Sequence, residues 1–316
     1  MEQRLLFLQN RLFKSDYIRK GARFIKKKLP SWVWAAIRFV FLGGLSFIVI
    51  YPILVAFSVS LRSEADIIDP SVLWIPKHPT LDNLKYTMRI MKYVQVLITT
   101  VKLDVVSSLL QVVSCALVGY GFARFKFKFK PLLFGLVVFT IIVPPQVTFV
   151  PTYLTYNTLK LLDTPLVMYL PALLGVGIRS GLFIFIFRQF YRNLPRELED
   201  AALVDGCGVY KTYLRIIIPN AKPAFLTVFL FSIVWYWNDY YNATMYFKNV
   251  KTVTTALDGL VSAVRLDSQS GIIVDPYLLS TVNQAGCLLA IFPVLVIYII
   301  FHRFFTEGVE RTGIVG

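Results

Sequence analysis

Phe39-Val-Phe-Leu-Gly-Gly-Leu-Ser-Phe-Ile-Val-Ile-Tyr-Pro-Ile-Leu-Val-Ala-Phe-Ser-Val-Ser-Leu61 runs for 23 residues without a charge. As a helix it reaches about 34 Å, enough to cross a hydrocarbon core about 30 Å thick. Its apolar part is too long for a secretory signal, and no small-residue cleavage site follows. Five more runs share this character: 105–123, 131–159, 164–187, 223–247 and 276–301. The start of the second must include Lys102 and Asp104. The third should end near Pro144-Pro145 or Pro151. Arg179 interrupts the fourth and Asp239 the fifth. The pattern predicts an all-α polytopic membrane bundle of six transmembrane helices over 36–303, between a basic segment 1–35 and a short tail 304–316. Across 316 residues, 56% are hydrophobic and 16% charged, against about 25% charged in a soluble domain. That excludes a soluble enzyme, a disordered chain and a disulfide scaffold.

The net charge of +15 is placed asymmetrically. With the N-terminus in the cytoplasm, the inside segments 1–38, 123–131, 188–222 and 302–316 hold 22 Lys/Arg and 8 Asp/Glu. The outside segments 62–95, 151–163 and 248–280 hold 9 and 8. Cytoplasmic loops collect cations in this way, so no nucleic-acid partner is needed to explain the charge, and both termini are expected inside. The segment 1–35 mixes cations with apolar residues. It reads either as an amphipathic helix on the inner leaflet or as a frayed tail. Arg124-Phe-Lys-Phe-Lys-Phe-Lys130 reads as a cytoplasmic turn whose cations meet anionic lipid.

Several chemistries lack their residues. The sequence has no Gly-x-x-x-x-Gly-Lys-Ser/Thr loop and no His-Glu-x-x-His, and its only histidines are His78 and His302. Cys115, Cys207 and Cys287 match no zinc or redox spacing and read as reduced thiols. No catalytic residue, metal site or cofactor is expected in this chain. Only Lys102, Asp104, Arg179 and Asp239 are ionisable within the spans, fewer than a gradient-driven carrier would usually show. Such a carrier or a channel remains the alternative.

The cytoplasmic loop 190–222 holds Leu194-Pro-Arg-Glu-Leu-Glu-Asp-Ala-Ala-Leu-Val-Asp-Gly206 and then Cys-Gly-Val-Tyr-Lys-Thr-Tyr-Leu-Arg-Ile-Ile-Ile-Pro219. It predicts helix, turn, helix. Pro195 suits a helix start, and Glu197, Glu199 and Asp200 complement the dipole there. Ala201 and Ala202 permit close approach. Gly206 and Gly208 can stop the helix in the left-handed conformation. Tyr213, Ile216 and Ile217 mark an apolar stripe that Pro219 and Pro223 end. By physics alone this is a solvated hairpin or a docking element.

The loop resembles the Glu-Ala-Ala loop of permease subunits of ATP-binding-cassette importers. Asp200-Ala201-Ala202, Gly206, Ile216, Ile218 and Pro219 keep its spacing. Asp replaces Glu at 200 and Ile replaces Leu at 218. The common Asp-Gly form appears as Asp205-Gly206. Pro144-Pro-Gln-Val-Thr-Phe-Val-Pro151, Phe187-Arg-Gln-Phe190, Trp237-Asn-Asp239 and the tail from Phe305 to Gly316 are similar to the maltose and glycerol-phosphate type of sugar permease, and to the second permease of that pair. The resemblance implies a coupling helix at 197–206, with Glu199, Asp200, Ala201, Ala202, Asp205, Gly206, Ile216 and Pro219 at the joint to the ATPase. It also implies a heterodimer with a second permease, two ATPase subunits that bind ATP and Mg, an extracytoplasmic binding protein, and a bacterial plasma membrane.

Candidates for the substrate path lie deeper. Trp235, Trp237, Asn238, Asp239 and Tyr240 could stack on and hydrogen-bond a saccharide, or form an interfacial aromatic belt. Counting residues from the inner face puts Asp239 about 24 Å up and Lys102 about 21 Å, so these two are expected to form a buried ion pair. Arg179 lies about 13 Å up, either facing the path or bonded to helix carbonyls.

Overall fold

The computed structural model describes residues 31–267 and 276–313, with side-chain positions for 32–267 and 277–301. The basic segment before residue 31 lies outside it. The chain divides into two compact units, 1–58 and 59–316. The first is represented by helix α1 (Ser31–Ser60), whose apolar span Trp32–Ser60 is long enough to cross a membrane.

The second unit opens with α2 (Glu64–Ile68) and α3 (Asp82–Ile90). Ser63 caps α2 by accepting from the Asp66 amide at 3.2 Å. Then comes α4 (Tyr93–Arg124), a 32-residue helix that is by itself long and apolar enough to cross a membrane and includes Lys102 and Asp104. Its buried stripe is built of small residues: Ser107, Ser108, Ser114, Cys115, Ala116, Gly119 and Ala123. Apolar burial gives helices little reason to associate within lipid, so small residues that let backbones approach supply the packing. Gly119 shows the limit, because a Cβ there would lie 2.6 Å from Phe187 Cβ.

The third run makes α5 (Lys130–Ile142), a 3-10 turn (Pro145–Thr148) and α6 (Phe149–Thr158), with a bend of 101°. Val143 is extended because the following proline disfavours the helical region there. The fourth run departs from a single expected span. It forms α7 (Leu166–Leu173) and α8 (Ser180–Asn193), separated by a break with Gly175 and Arg179 at φ 72° and 59°.

In the loop, α9 (Glu197–Val204) is followed by α10 (Val209–Thr212), a π turn (Tyr213–Ile217) and α11 (Ile218–Asn220). Pro219 does not stop this helix as expected. The wide turn closed by the Ile218 amide on the Tyr213 carbonyl makes room ahead of the proline. A 76° bend then leads into α12 (Lys222–Trp237). The fifth run was expected to continue to 247, but its helix ends at Trp237, leaving Asn238 to Tyr240 as a turn before α13 (Tyr241–Tyr246). Helices α14 (Val253–Asp258) and α15 (Leu260–Asp267) precede α16 (Pro276–Gly313), which runs on past 301. Its Tyr277–Phe301 part is also long and apolar enough to cross a membrane.

Helix α4 packs against α7, α8 and α12. Its C-terminal half joins Phe187, Tyr191, Tyr213 and Ile217 in a buried cluster. Its N-terminal end joins Leu260, Val264, Val282 and Leu289, with the Tyr93 hydroxyl donating to the Leu289 carbonyl at 2.8 Å.

Candidate functional site

Beside the Arg124 end of α4, α9 is held on one side and open on the other. Its C-terminus is a Schellman motif: the Cys207 amide donates to the Ala202 carbonyl at 2.8 Å and the Gly206 amide to that of Leu203 at 3.0 Å. Gly206 takes φ 77°, and nothing lies within 4 Å of where a Cβ would stand. Glycine is therefore required there by backbone conformation alone. Gly208 has an ordinary φ of −71° and starts the next helix, so it is not a second left-handed stop.

The inward side is set by Ala202, 2% exposed, and Glu199. Glu199 Oε1 lies 2.7 Å from Arg124 Nε, with the two side chains 17% and 6% exposed. Arg124 Nη2 also donates to the Leu194 carbonyl at 2.9 Å. Arg124 is thus the bolt between α4 and the loop, and not a lipid-facing cation. Lys130 closes the same turn by donating to the Phe125 carbonyl at 2.7 Å. Tyr213 continues the attachment, its ring 4.7 Å from that of Tyr120 and its hydroxyl 3.5 Å from that of Tyr191. The outward side carries Asp200, Ala201, Leu203, Val204 and Asp205, all exposed, with Val204 at 88%. Ile216 is half-buried and Pro219 exposed.

The second site is the break in the fourth run. Ser114 donates to the Ala172 carbonyl at 2.6 Å, and the Gln111 amide donates to the Ile178 carbonyl and to Ser180 Oγ. Polar residues of α4 thereby satisfy backbone that the broken helix leaves open, as depth in a membrane demands. A Cβ on Gly177 would meet the Tyr236 hydroxyl at 2.7 Å. On the exposed side, the Arg179 guanidinium carbon lies 4.4 Å from the Trp235 ring centre.

The structure separates the other path candidates. Trp237 is buried, and its indole donates to the Ala290 carbonyl at 3.2 Å, so it holds α12 to α16. Asn238 is exposed and donates to the Val234 carbonyl at 2.8 Å. Tyr240 is half-buried. Asp239 Oδ1 accepts from the Asn242 amide at 3.2 Å and from its side chain at 3.1 Å. The expected Lys102–Asp239 ion pair is not formed, and Lys102 is exposed. The acid two residues on, Asp104, is the one turned inward. It is 4% exposed, and Asp239 acts on it electrostatically. Depth matched Lys102 to Asp239, but two residues rotate a helix by about 200°, and direction decided the outcome.

Elsewhere, Asp163 accepts from the backbone amides of Lys248 and Asn249, each at 2.9 Å, and of Val250 at 3.2 Å. These bonds hold its carboxyl down at about 2. The sequence reading passed over Asp163 and gave Arg124 to lipid with the other cations of its turn. The only signal for Arg124 was its place as the last residue of a span, where the cations next to it look the same.

Residues 115–309 match the family of binding-protein-dependent transport system inner membrane components. That match covers more than half of the chain, including α9 and the break before α8, and the chain belongs to this family of permease subunits of ATP-driven importers. It is similar to Protein LplC of Bacillus subtilis, 28% identical over 278 residues, covering 85% of this chain and 90% of the relative. It is also similar to the arabinooligosaccharides transport system permease protein AraQ of Halalkalibacterium halodurans, 26% identical over 296 residues, covering 92% and 99%. Among solved structures, a chain of a bacterial ABC transporter involved in the import of the acidic polysaccharide alginate shares the fold. Its TM-score is 0.71 at 19% identity, covering 86% of this chain and 96% of that one.

Proposed function

We propose that this chain is the second permease of a heterodimeric importer that carries a saccharide or glycoside across a bacterial plasma membrane by alternating access. A separate pair of ATPase subunits drives it through α9, and an extracytoplasmic binding protein delivers the cargo. The ATP and Mg sites belong to the ATPases. The observation that carries the reading is the two-sided build of α9. One face is bolted to a transmembrane helix through Glu199 and Arg124, and the other presents Asp200, Ala201, Leu203 and Val204 to solvent. A helix closed by a left-handed glycine and fixed on one face transmits a push without bending. The saccharide class is supported by the arabinooligosaccharide and alginate cargoes named for proteins similar to this one. Arg179 and Trp235, with Asn238 and Tyr240 nearby in sequence, line the path. Both termini and the loop face the cytoplasm.

Transport in cells tests the energy source. Uptake should survive collapse of the proton gradient and stop on ATP depletion; the reverse pattern overturns the reading. A cysteine at position 200 should resist an impermeant reagent added from outside. Labelling from that side would invert the topology.

A further inference from the structure

The break between α7 and α8 holds an arrangement that general transport does not require. Arg179 sits at φ 59°, one of five residues other than glycine at positive φ among those described, and its turn opens α8. No carboxylate among the described residues pairs with it. It is exposed, and only about 13 Å of helix separates it from the inner end at Arg188. A cation at that depth facing lipid is expensive, so intramembrane arginines face a bundle interior or a water-filled cavity. Broken helices at mid-membrane mark cargo sites in transporters for the same reason: irregular backbone is tolerated where it lines a cavity.

The guanidinium lies over the Trp235 ring at 4.4 Å, and Trp235 is itself 39% exposed. That contact sets the cation against an aromatic ring. The N–H donors of a guanidinium lie in its own plane, around its edge, and meet a planar anion edge-on in a bidentate pair. The indole beside it gives an apolar face for the C–H side of a sugar ring. A neutral sugar offers hydroxyls that Asn, Gln or Tyr would bind without burying a full charge in the membrane.

We infer that Arg179 and Trp235 form a subsite for the carboxylate of an acidic saccharide, a uronate residue, as it passes the middle of the membrane. The inference rests on the reading that the break lines the cargo path.

The test uses the assembled importer in vesicles: this chain, the second permease, the ATPase pair and the binding protein. The probes are uronate oligosaccharides and their carboxyl-reduced, neutral counterparts. The uronate forms should be taken up in preference. Arg179→Gln should lower their uptake by about tenfold or more, the scale of a lost charge-assisted bond. Arg179→Lys should fall between, keeping charge but losing the planar fork. Binding-protein affinity, measured on that protein alone, should not change, and uptake of any neutral counterpart that is carried should be insensitive to Arg179. Uptake of neutral saccharides alone, or of phosphate esters and not uronates, overturns the assignment. So does equal loss for charged and neutral cargo, which leaves Arg179 on the path without reading charge. No loss in either Arg179→Gln or Trp235→Ala overturns the path reading itself. Poor co-purification of the second permease with unchanged selectivity means that Arg179 pairs with that subunit, which also refutes the subsite.

Discussion

Replacing Gly206 isolates backbone conformation from every other effect on the coupling helix. At φ 77°, with open space where a Cβ would stand, a larger side chain meets no steric clash with neighbours. The whole cost is that of forcing an L-residue into the left-handed region, about 1–2 kcal/mol for an ordinary residue. Asparagine tolerates that region best and a β-branched residue worst. The series Gly206→Asn, Gly206→Ala, Gly206→Val should therefore weaken the two closing hydrogen bonds of α9 in that order. At about 1.4 kcal/mol per tenfold, the alanine variant should lose roughly five- to thirtyfold in the fraction of loops holding the docking shape. The assay is ATP hydrolysis stimulated by cargo-loaded binding protein in reconstituted vesicles, with membrane insertion checked for each variant. Exposed Lys211→Ala on the next helix serves as control. If the valine variant is stimulated like the control, or if asparagine and valine lose equally, the left-handed stop is not what shapes the joint.

Ala201 and Ala202 should behave differently although adjacent. Ala201→Trp should leave stability intact and abolish ATPase co-purification, whereas Ala202→Trp should lower thermal stability by about 1–3 kcal/mol through overpacking, as its 2% exposure requires. Arg124→Ala strands Glu199 at 17% exposure and should cost on the order of 3 kcal/mol. A double-mutant cycle with Glu199→Ala should recover part of that loss, and strict additivity would count against the bolt. Asp163 has its carboxyl held down at about 2, so its stabilising contribution should be full above the ordinary value of 3.8 and vanish as pH falls through about 2. The melting-temperature gap between parent and Asp163→Asn should close on acidification; a gap that widens refutes the assignment.

The spans were readable because a membrane imposes length and polarity together, and an uncharged run meets both conditions at once. The helix and turn of the loop 190–222 were readable because Pro195, Gly206 and the acidic first turn each fix backbone locally. The break in the fourth run was not foreseen, although Pro171, Gly175, Gly177 and Arg179 lie within it. Hydropathy sums those residues away, and only the donors on α4 make such a break affordable. Lys102 was matched to Asp239, in preference to Arg179, by depth without direction. Arg124 looked like its neighbours Lys126 and Lys128, because charge counted by segment carries no contact information.

Gly119 also has a mechanical consequence. Its contact with Phe187 is too close for a Cβ, so the two helices touch there nearly backbone to backbone. Such a point resists sliding and suits a fulcrum. From it, α4 extends about 7 Å inward to Arg124 and about 39 Å outward to Tyr93. A rigid rod with those arms multiplies motion about fivefold, so a stroke of about 1.5 Å at the bolt becomes about 8 Å at the far end. A rod pivoting there would carry Tyr93 and the apolar residues packed around it, Leu260, Val264, Val282 and Leu289, as one block.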